Sequence, residues 1–322
     1  MGANIYGPEG TRIGSSDNKE YISSLAGLER AMNQGKILES TALVCDGNMN
    51  LHIDLYGFDG IIERSEAMLC RENEEIKDIG IITRVGKTVC FKVISIEKSG
   101  EKVKVFLSRR AAQLDCMKNF LSDLICGDII KAKVTHLENF GAFVDIGCGI
   151  SSLLSVDCIS VSRISHPKDR LNCGDIIDVV IKAIDEENQR IFVSRRELLG
   201  TWEENASLFS PGQTVAGIIR SIESYGIFVE LAPNLAGLAE VREDKIGCSL
   251  TVGQTAAVYI KSIIPERMKV KLVLIDSCKG EQLLSRTSSE RVFIDTSRVT
   301  HLDRWRYSPE GANKIIETFF DN

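Results

Sequence analysis

Phe140 and Phe143 stand either side of Gly141 in the stretch ENFGAFVDIGCGISSLLSVD, residues 138–157. Two aromatic rings that both reach solvent present flat π-faces, and such faces stack nucleobases, at about 1–3 kcal/mol per stacked base. In an unbroken strand, residues three apart point to opposite faces. A glycine inside a strand often marks a bulge, which inserts one residue and flips the parity of the residues after it. A bulge at Gly141 would put both rings on the outer face, with Val144 and Ile146 inward and Asp145 outward. Lys131 and Lys133 alternate with Ile130, Ala132 and Val134 on the preceding strand, so their ammonium groups would lie on an outer face suited to phosphates. The same residues admit a second reading, with both rings in the core and the lysines simply solvated; the pattern alone leaves both open.

Residues for covalent or metal chemistry lack the required spacings. There is no HExxH, no GxSxG and no phosphate loop ending in GK[ST]. Gly147-Cys148-Gly149 begins like a dinucleotide-binding turn, but Ser152 stands where the last glycine belongs. His52, His136, His166 and His301 fall in different segments, with no carboxylate spacing that suggests a triad. Asp185, Glu186 and Glu187 read as a solvated hairpin turn. The ten cysteines are scattered singly, without a CxxC pair. No catalysis, no metal and no cofactor are expected.

The elements that must carry the rings come in copies. GDIIKAKVTHLENFGAFVDIG from Gly127 aligns with GQTVAGIIRSIESYGIFVELA from Gly212, so that Phe140 and Phe143 meet Tyr225 and Phe228. GDIIDVVIKAIDEENQRIFVSRR, residues 174–196, aligns with residues 253–275 and with GKTVCFKVISIEKSGEKVKVFLSRR, residues 86–110. Each block reads as β-branched strands around polar turns, used three times. Short strands with glycine-marked turns predict small closed barrels, joined by helical linkers. Leu114, Met117, Leu121 and Leu124 give a helical stripe within Ala111–Ile125, and Thr201 with Glu204 forms a capping box.

The bulk properties narrow the choice. At 322 residues the chain holds about two or three domains. A net charge of -6 argues against coating nucleic acid by bulk charge. The ring-bearing segment, residues 127–199, carries nine Lys/Arg against eleven Asp/Glu, so binding there would depend on stacking and a few phosphate contacts. No apolar run approaches the ~20 residues that cross a bilayer. The first residues, MGANIYGPEGTRIG, hold no apolar signal-like stretch, so reduced cysteines and a cytoplasmic location are expected.

FGAFVDIG, the SLLSVD turn, Gly174-Asp175 opening a strand, and IDEENQRIFVSRR together resemble the S-one RNA-binding domain, an OB-fold barrel. Three copies with the linker SRRELLGTWEEN are similar to the S-one ribosomal proteins of the bacterial small subunit, over roughly residues 25–276. The resemblance implies a mainly β chain of three tandem five-stranded OB barrels, the first degenerate. Its segments would be a disordered tail (1–22), the degenerate barrel (23–112), an RNA-binding barrel with its helical linker (113–200), a divergent barrel (201–276) and a linker and tail with a short helix (277–322).

In that family RNA meets the two aromatics, a histidine after the third strand, and an Asp and an Arg around the last hairpin. Carried onto the middle copy these are Phe140, Phe143, Asp185 and Arg190, with Ser155 in the histidine place, where it can hydrogen-bond but not stack. The third copy offers Tyr225 and Phe228, with Lys269 for the arginine, Glu240 for the histidine and Ile264 for the aspartate. The first copy, NMNLHIDLYGFDG, leaves Asn, Met, Leu or His near the ring positions and Glu63 in the histidine place. The resemblance implies single-stranded RNA or mRNA and the 30S ribosomal subunit as partners, the latter docked through the first copy, and no membrane. Two other readings stay open: an accessory factor of RNA turnover or transcription, and a scaffold whose barrels bind protein alone. At the C-terminal end, Arg298, Arg304, Trp305, Arg306 and Tyr307 form a basic aromatic cluster, either a second RNA contact or a tail folded back. Ser308-Pro309 reads as a helix N-cap and first turn.

Overall fold

The computed structural model describes residues 5–70, 75–99, 102–240, 250–278 and 291–320. It is mainly β, with three closed five-stranded barrels of one topology. The first follows helices α1 (Ser16–Ile22) and α2 (Leu25–Gln34) and comprises β1 (Leu38–Cys45), β2 (Leu51–Leu55), β3 (Phe58–Ile62), then helix α3 (Asp78–Ile82), β4 (Thr88–Ser99) and β5 (Lys102–Ser108). After α4 (Arg109–Asn119) come β6 (Ile129–Glu138), β7 (Gly141–Asp145), β8 (Ser151–Ser155), α5 (Val156–Ile159), β9 (Ile176–Asp185) and β10 (Arg190–Ser194). The third barrel follows α6 (Trp202–Ala206), with β11 (Thr214–Glu223), β12 (Gly226–Ala232), β13 (Leu235–Glu240), β14 (Thr255–Ile264) and β15 (Lys269–Cys278). A ribbon of β16 (Arg304–Arg306) and β17 (Glu317–Phe319) ends the described chain.

In each barrel, strands one to three are neighbours in sequence order, antiparallel in the first and third, and the third and fifth strands pair in parallel to close the ring. This is the OB-fold topology expected from the copied blocks. Closure leaves no free sheet edge and lets alternate residues fill the interior. Leu51, Ile53 and Leu55 of β2 are buried in the first barrel, as are Ala142 and Val144 of β7 in the middle one.

The chain divides into two compact units. One holds Met1–Leu124 with Lys131–Lys133 and Val144–Ser151; the other holds Ile125–Ile130, Val134–Phe143 and Ser152–Asn322. Within the first, residues 5–22 are structured, where the glycine- and charge-rich composition suggests a disordered tail; residues 1–4 of that span lie outside the described residues. Ser15 caps α1 by accepting from the Asn18 N–H, and Asn18 bonds the Glu39 N–H and C=O of β1, each at 2.8 Å. Composition misleads because the charges are partnered at long range. Glu9 is buried against Arg109, with Nε to Oε1 at 2.6 Å and Nη2 to Oε2 at 3.1 Å, and takes the Cys90 N–H at 3.1 Å.

That cluster also explains α4. Its buried face is Arg109, Ala112, Gln113 and Cys116, whereas Leu114 of the expected stripe is 39% exposed. Gln113 donates to the Cys148 C=O at 3.1 Å and accepts from the Leu69 N–H at 2.7 Å, so the helix packs by satisfying polar groups. Asp145, expected to point outward, is buried in the same cluster and accepts from the N–H groups of Glu9 (2.7 Å), Gly147 and Gly149 (2.9 Å each). Burial works against ionised Glu9, but the Arg109 charge and hydrogen bond outweigh it and hold its carboxyl below the usual range. Burial and then the Glu9 charge push Asp145 up to about 7.

In the second unit, the Thr201–Glu204 capping box opens α6, and the C-terminal segment folds back as the ribbon rather than a helix. Ser308 ties its own turn instead of capping a helix, donating to the Lys314 C=O and accepting from the Ile316 N–H, each at 2.8 Å. Trp305, Tyr307 and Phe320 are buried in the core of the third barrel, and the Tyr307 hydroxyl donates to the Asn234 C=O at 2.6 Å. The basic aromatic cluster therefore uses its rings for packing. The linker expected over SCKGEQLLSRTSSE lies outside the described residues from residue 279 onward.

The raised Asp145 carboxyl makes stability pH-dependent. Between the unfolded value of about 4 and the folded value of about 7, the folded chain binds the extra proton, so this contribution is complete below about 4 and is lost as pH rises through about 7. The thermal midpoint of wild type should fall between about pH 5 and about pH 8 by more than that of Asp145→Asn. Parallel profiles for the two proteins would contradict this.

Candidate nucleic-acid interface

Strand alternation does not govern Phe140, because it lies in the turn between β6 and β7. Its C=O accepts from the Val156 N–H at 3.0 Å, fixing the turn against the start of α5. Phe143 is the third residue of β7. The rings meet edge to face, with centroids 6.0 Å apart and planes at 88°, within the favoured range for aromatic pairs. Phe140 is 55% exposed and Phe143 is half-buried.

Gly141 serves a close approach of backbones, a role beyond the bulge expected of it. A Cβ there would come 2.5 Å from the Leu154 C=O oxygen and 2.9 Å from Ser155 Cα. The end of β8 crosses so near that only glycine fits, and the ring before it is left in solvent. The third barrel repeats this geometry. Tyr225, 67% exposed, meets Phe228 at 6.3 Å and 89°, and Gly226, at φ +149°, approaches the Ala239 C=O oxygen within 2.9 Å of where a Cβ would be.

The register shift falls on the partner strand. It lies between Ala42 and Val44 on β1 and between Ile219 and Ser221 on β11, setting Val44 opposite His52 and Ser221 opposite Phe228. On β6 the consecutive exposed residues are Thr135 and His136, and the Thr135 hydroxyl donates to the Phe143 C=O at 3.0 Å. His136 faces the Phe143 ring at 6.5 Å, with only 24° between the planes, and its Nε2 lies 2.7 Å from a Glu138 carboxylate oxygen. Sequence reasoning misses this histidine, in which it finds only the absence of a triad. The signal that could have found it is the alignment of the copies, which sets His136 on Ser221, the residue opposite Phe228 in the third barrel.

The remaining expected contacts divide. Lys131 is exposed, whereas Lys133 donates to the Glu9 C=O at 2.8 Å. Ser155 is half-buried, and its hydroxyl bonds Asp157, whose carboxyl that bond holds below its ordinary value. Asp185 caps its own hairpin, accepting from the Asn188 backbone at 3.0 Å and side-chain amide at 2.9 Å. Arg190 is exposed directly across the ladder from Asp185. In the third barrel, Lys269 is exposed opposite Ile264, and exposed Glu240 lies 3.5 Å from Lys261. In the first, pairing of Ile53 with Gly60 matches that of Val229 with Gly237, which puts His52 in the place of Phe228 and Met49 in that of Tyr225. His52 sits between Asp46 at 3.6 Å and Asp59 at 3.2 Å. Among the described residues, no group of three or more His, Cys, Asp or Glu could hold a metal ion, and no helix is long and apolar enough to cross a membrane.

Residues 124–196 match the S1 RNA binding domain family. The small ribosomal subunit protein bS1 of Staphylococcus haemolyticus is 34% identical over 198 residues, covering 58% of this chain and 50% of that relative. The bS1 of Staphylococcus aureus is 29% identical over 299 residues, covering 89% of this chain and 73% of that one. The crystal structure of a multidomain protein with nucleic acid binding domains from Streptococcus pneumoniae is 15% identical, covering 75% of this chain and 74% of the other, with a TM-score of 0.23. The chain spans about half the length of the Staphylococcus haemolyticus and Bacillus subtilis relatives it matches.

The close crossing at Gly141 can be tested by substitution. Gly141→Ala must displace the backbone of Leu154 and should destabilise by about 1–3 kcal/mol in urea denaturation. Gly47→Ala, where nothing lies within 4 Å, should stay within about 0.5 kcal/mol of wild type. Equal midpoints for the two variants would mean that β8 does not crowd the turn.

Proposed function

We propose that this chain binds single-stranded RNA, including mRNA, through its middle barrel, that it serves translation in the cytoplasm, and that it catalyses no reaction. The observation that carries this reading is the edge-to-face pair of exposed Phe140 and half-buried Phe143, held on a hairpin within the segment that matches the RNA binding domain. Bases stack on such rings whatever their identity, and a few cations hold the phosphates. The names of the curated relatives, small ribosomal subunit protein bS1, support the translational setting.

Within the middle barrel, Phe140 and Phe143 stack bases, Arg190 and Lys131 face phosphates, and Ser155 offers a hydrogen bond. Asp185 acts by holding the hairpin that presents Arg190, and Lys133 contributes less because the Glu9 carbonyl already occupies it. Tyr225, Phe228 and Lys269 make a second, weaker platform, since exposed Glu240 repels a phosphate path. The first barrel binds protein rather than RNA and docks the chain on the 30S subunit. Support comes from the carboxylates around His52 and from exposed Leu43, Val44, Ile79 and Ile82.

Fluorescence anisotropy of a labelled U-rich single-stranded RNA with the full chain tests the RNA reading. Phe143→Ala should lose about 1–3 kcal/mol of affinity at every salt concentration, because stacking is not screened. No binding by wild type would remove the reading, and equal affinity of the variant would remove the platform from it. Co-sedimentation with 30S subunits tests the docking: Ile79→Glu should reduce it while leaving the RNA affinity within about twofold, as expected for a surface residue away from the rings.

A further inference from the structure

We propose that His136 is a third member of the base-stacking platform of the middle barrel, on the side of Phe143 away from Ser155, whose own place holds no ring. The inference rests on the RNA-binding reading above and adds to it the residue that receives a further base. Ser155 is half-buried and, as a serine, has no π-face to offer there. His136 approaches the same hairpin from the opposite side, on β6. Its imidazole lies nearly parallel to the Phe143 ring, at 6.5 Å and 24°. Its side chain is 63% exposed, which leaves ring surface for a base.

The three barrels supply their own comparison. The residue across the ladder from the second ring position is Val44 in the first barrel and Ser221 in the third. Neither can stack. In the middle barrel the adjacent exposed pair is Thr135 and His136, and only there does an aromatic ring arrive beside the platform among the described residues. Glu138, 2.7 Å from Nε2, fixes the ring orientation by a hydrogen bond. A carboxylate at that point also disfavours a phosphate beside the histidine, so the ligand presents a base to the imidazole and not its backbone. The ligand class is therefore a single strand with at least one unpaired base adjacent to the one stacked on Phe143.

The test uses the full chain and the same labelled U-rich RNA, with wild type, His136→Ala, His136→Tyr and Phe143→Ala. His136→Ala should weaken binding about five- to tenfold, the lower part of the range for one stacked base. His136→Tyr, which keeps a ring and cannot carry the same charge, should restore affinity to within about twofold of wild type. An exposed side chain leaves the thermal midpoint unchanged in both variants, which separates lost contact from lost fold. Wild-type affinity in His136→Ala, with a loss in Phe143→Ala, overturns the role of His136 and leaves the RNA reading intact. A loss in His136→Ala that His136→Tyr does not restore overturns stacking as the contact. Absence of binding by wild type overturns the RNA reading and this inference together.

Discussion

The crossing of the first hairpin over the end of the third strand is the constraint on which the candidate site depends. A five-stranded barrel of this topology closes by parallel pairing of its third and fifth strands, and this draws the end of the third strand under the hairpin. At Gly141 and Gly226 the backbones come so close that a Cβ would lie 2.5 and 2.9 Å from a carbonyl oxygen. The residue before each glycine is consequently a turn residue with nowhere to bury its side chain. An aromatic there stays exposed and meets, edge to face, a half-buried second ring on the strand behind it as a by-product of closure.

A second constraint is electrostatic and lies in the first unit. Removing Glu9 and Arg109 from water is costly, and it is offset by a bidentate pair whose remaining lone pairs take further donors. Asp145 competes for the same guanidinium field and satisfies its oxygens with three backbone N–H groups instead. Burial and the Glu9 charge nevertheless raise its pKa, so one carboxyl of the cluster holds its proton more easily than the other. The charge- and glycine-rich first residues are thereby made part of a folded unit.

These two constraints give the acidic chain a division of labour. Several of its charges are used in structure: Lys133 on the Glu9 carbonyl, Asp185 on its hairpin, and Arg170 and Arg220 on Glu230 at 2.6 and 2.7 Å. The middle barrel is left with a set of rings and few cations around it. On the proposed reading, an interface built this way would bind by stacking and would be only weakly sensitive to salt.

Local and repeated features were legible in the chain itself. Glycine-marked strand pairs recurring three times led to three barrels, the spacing of Phe140, Gly141 and Phe143 left a solvent-facing ring pair as one of two readings, and Thr201 with Glu204 led to the helix cap. Features that need partners far apart along the chain were settled only by its tertiary fold. The segment around Glu9 is ordered because Arg109, 100 residues away, pairs with it. The C-terminal segment is a ribbon because Trp305, Tyr307 and Phe320 find the third barrel's core. His136 joins the rings because β6 brings it beside Phe143, as β11 brings Ser221 opposite Phe228 in the third barrel. Alternation along one strand records which face a side chain takes, but not which residue a neighbouring strand will place beside it. That pairing is fixed only when the barrel closes.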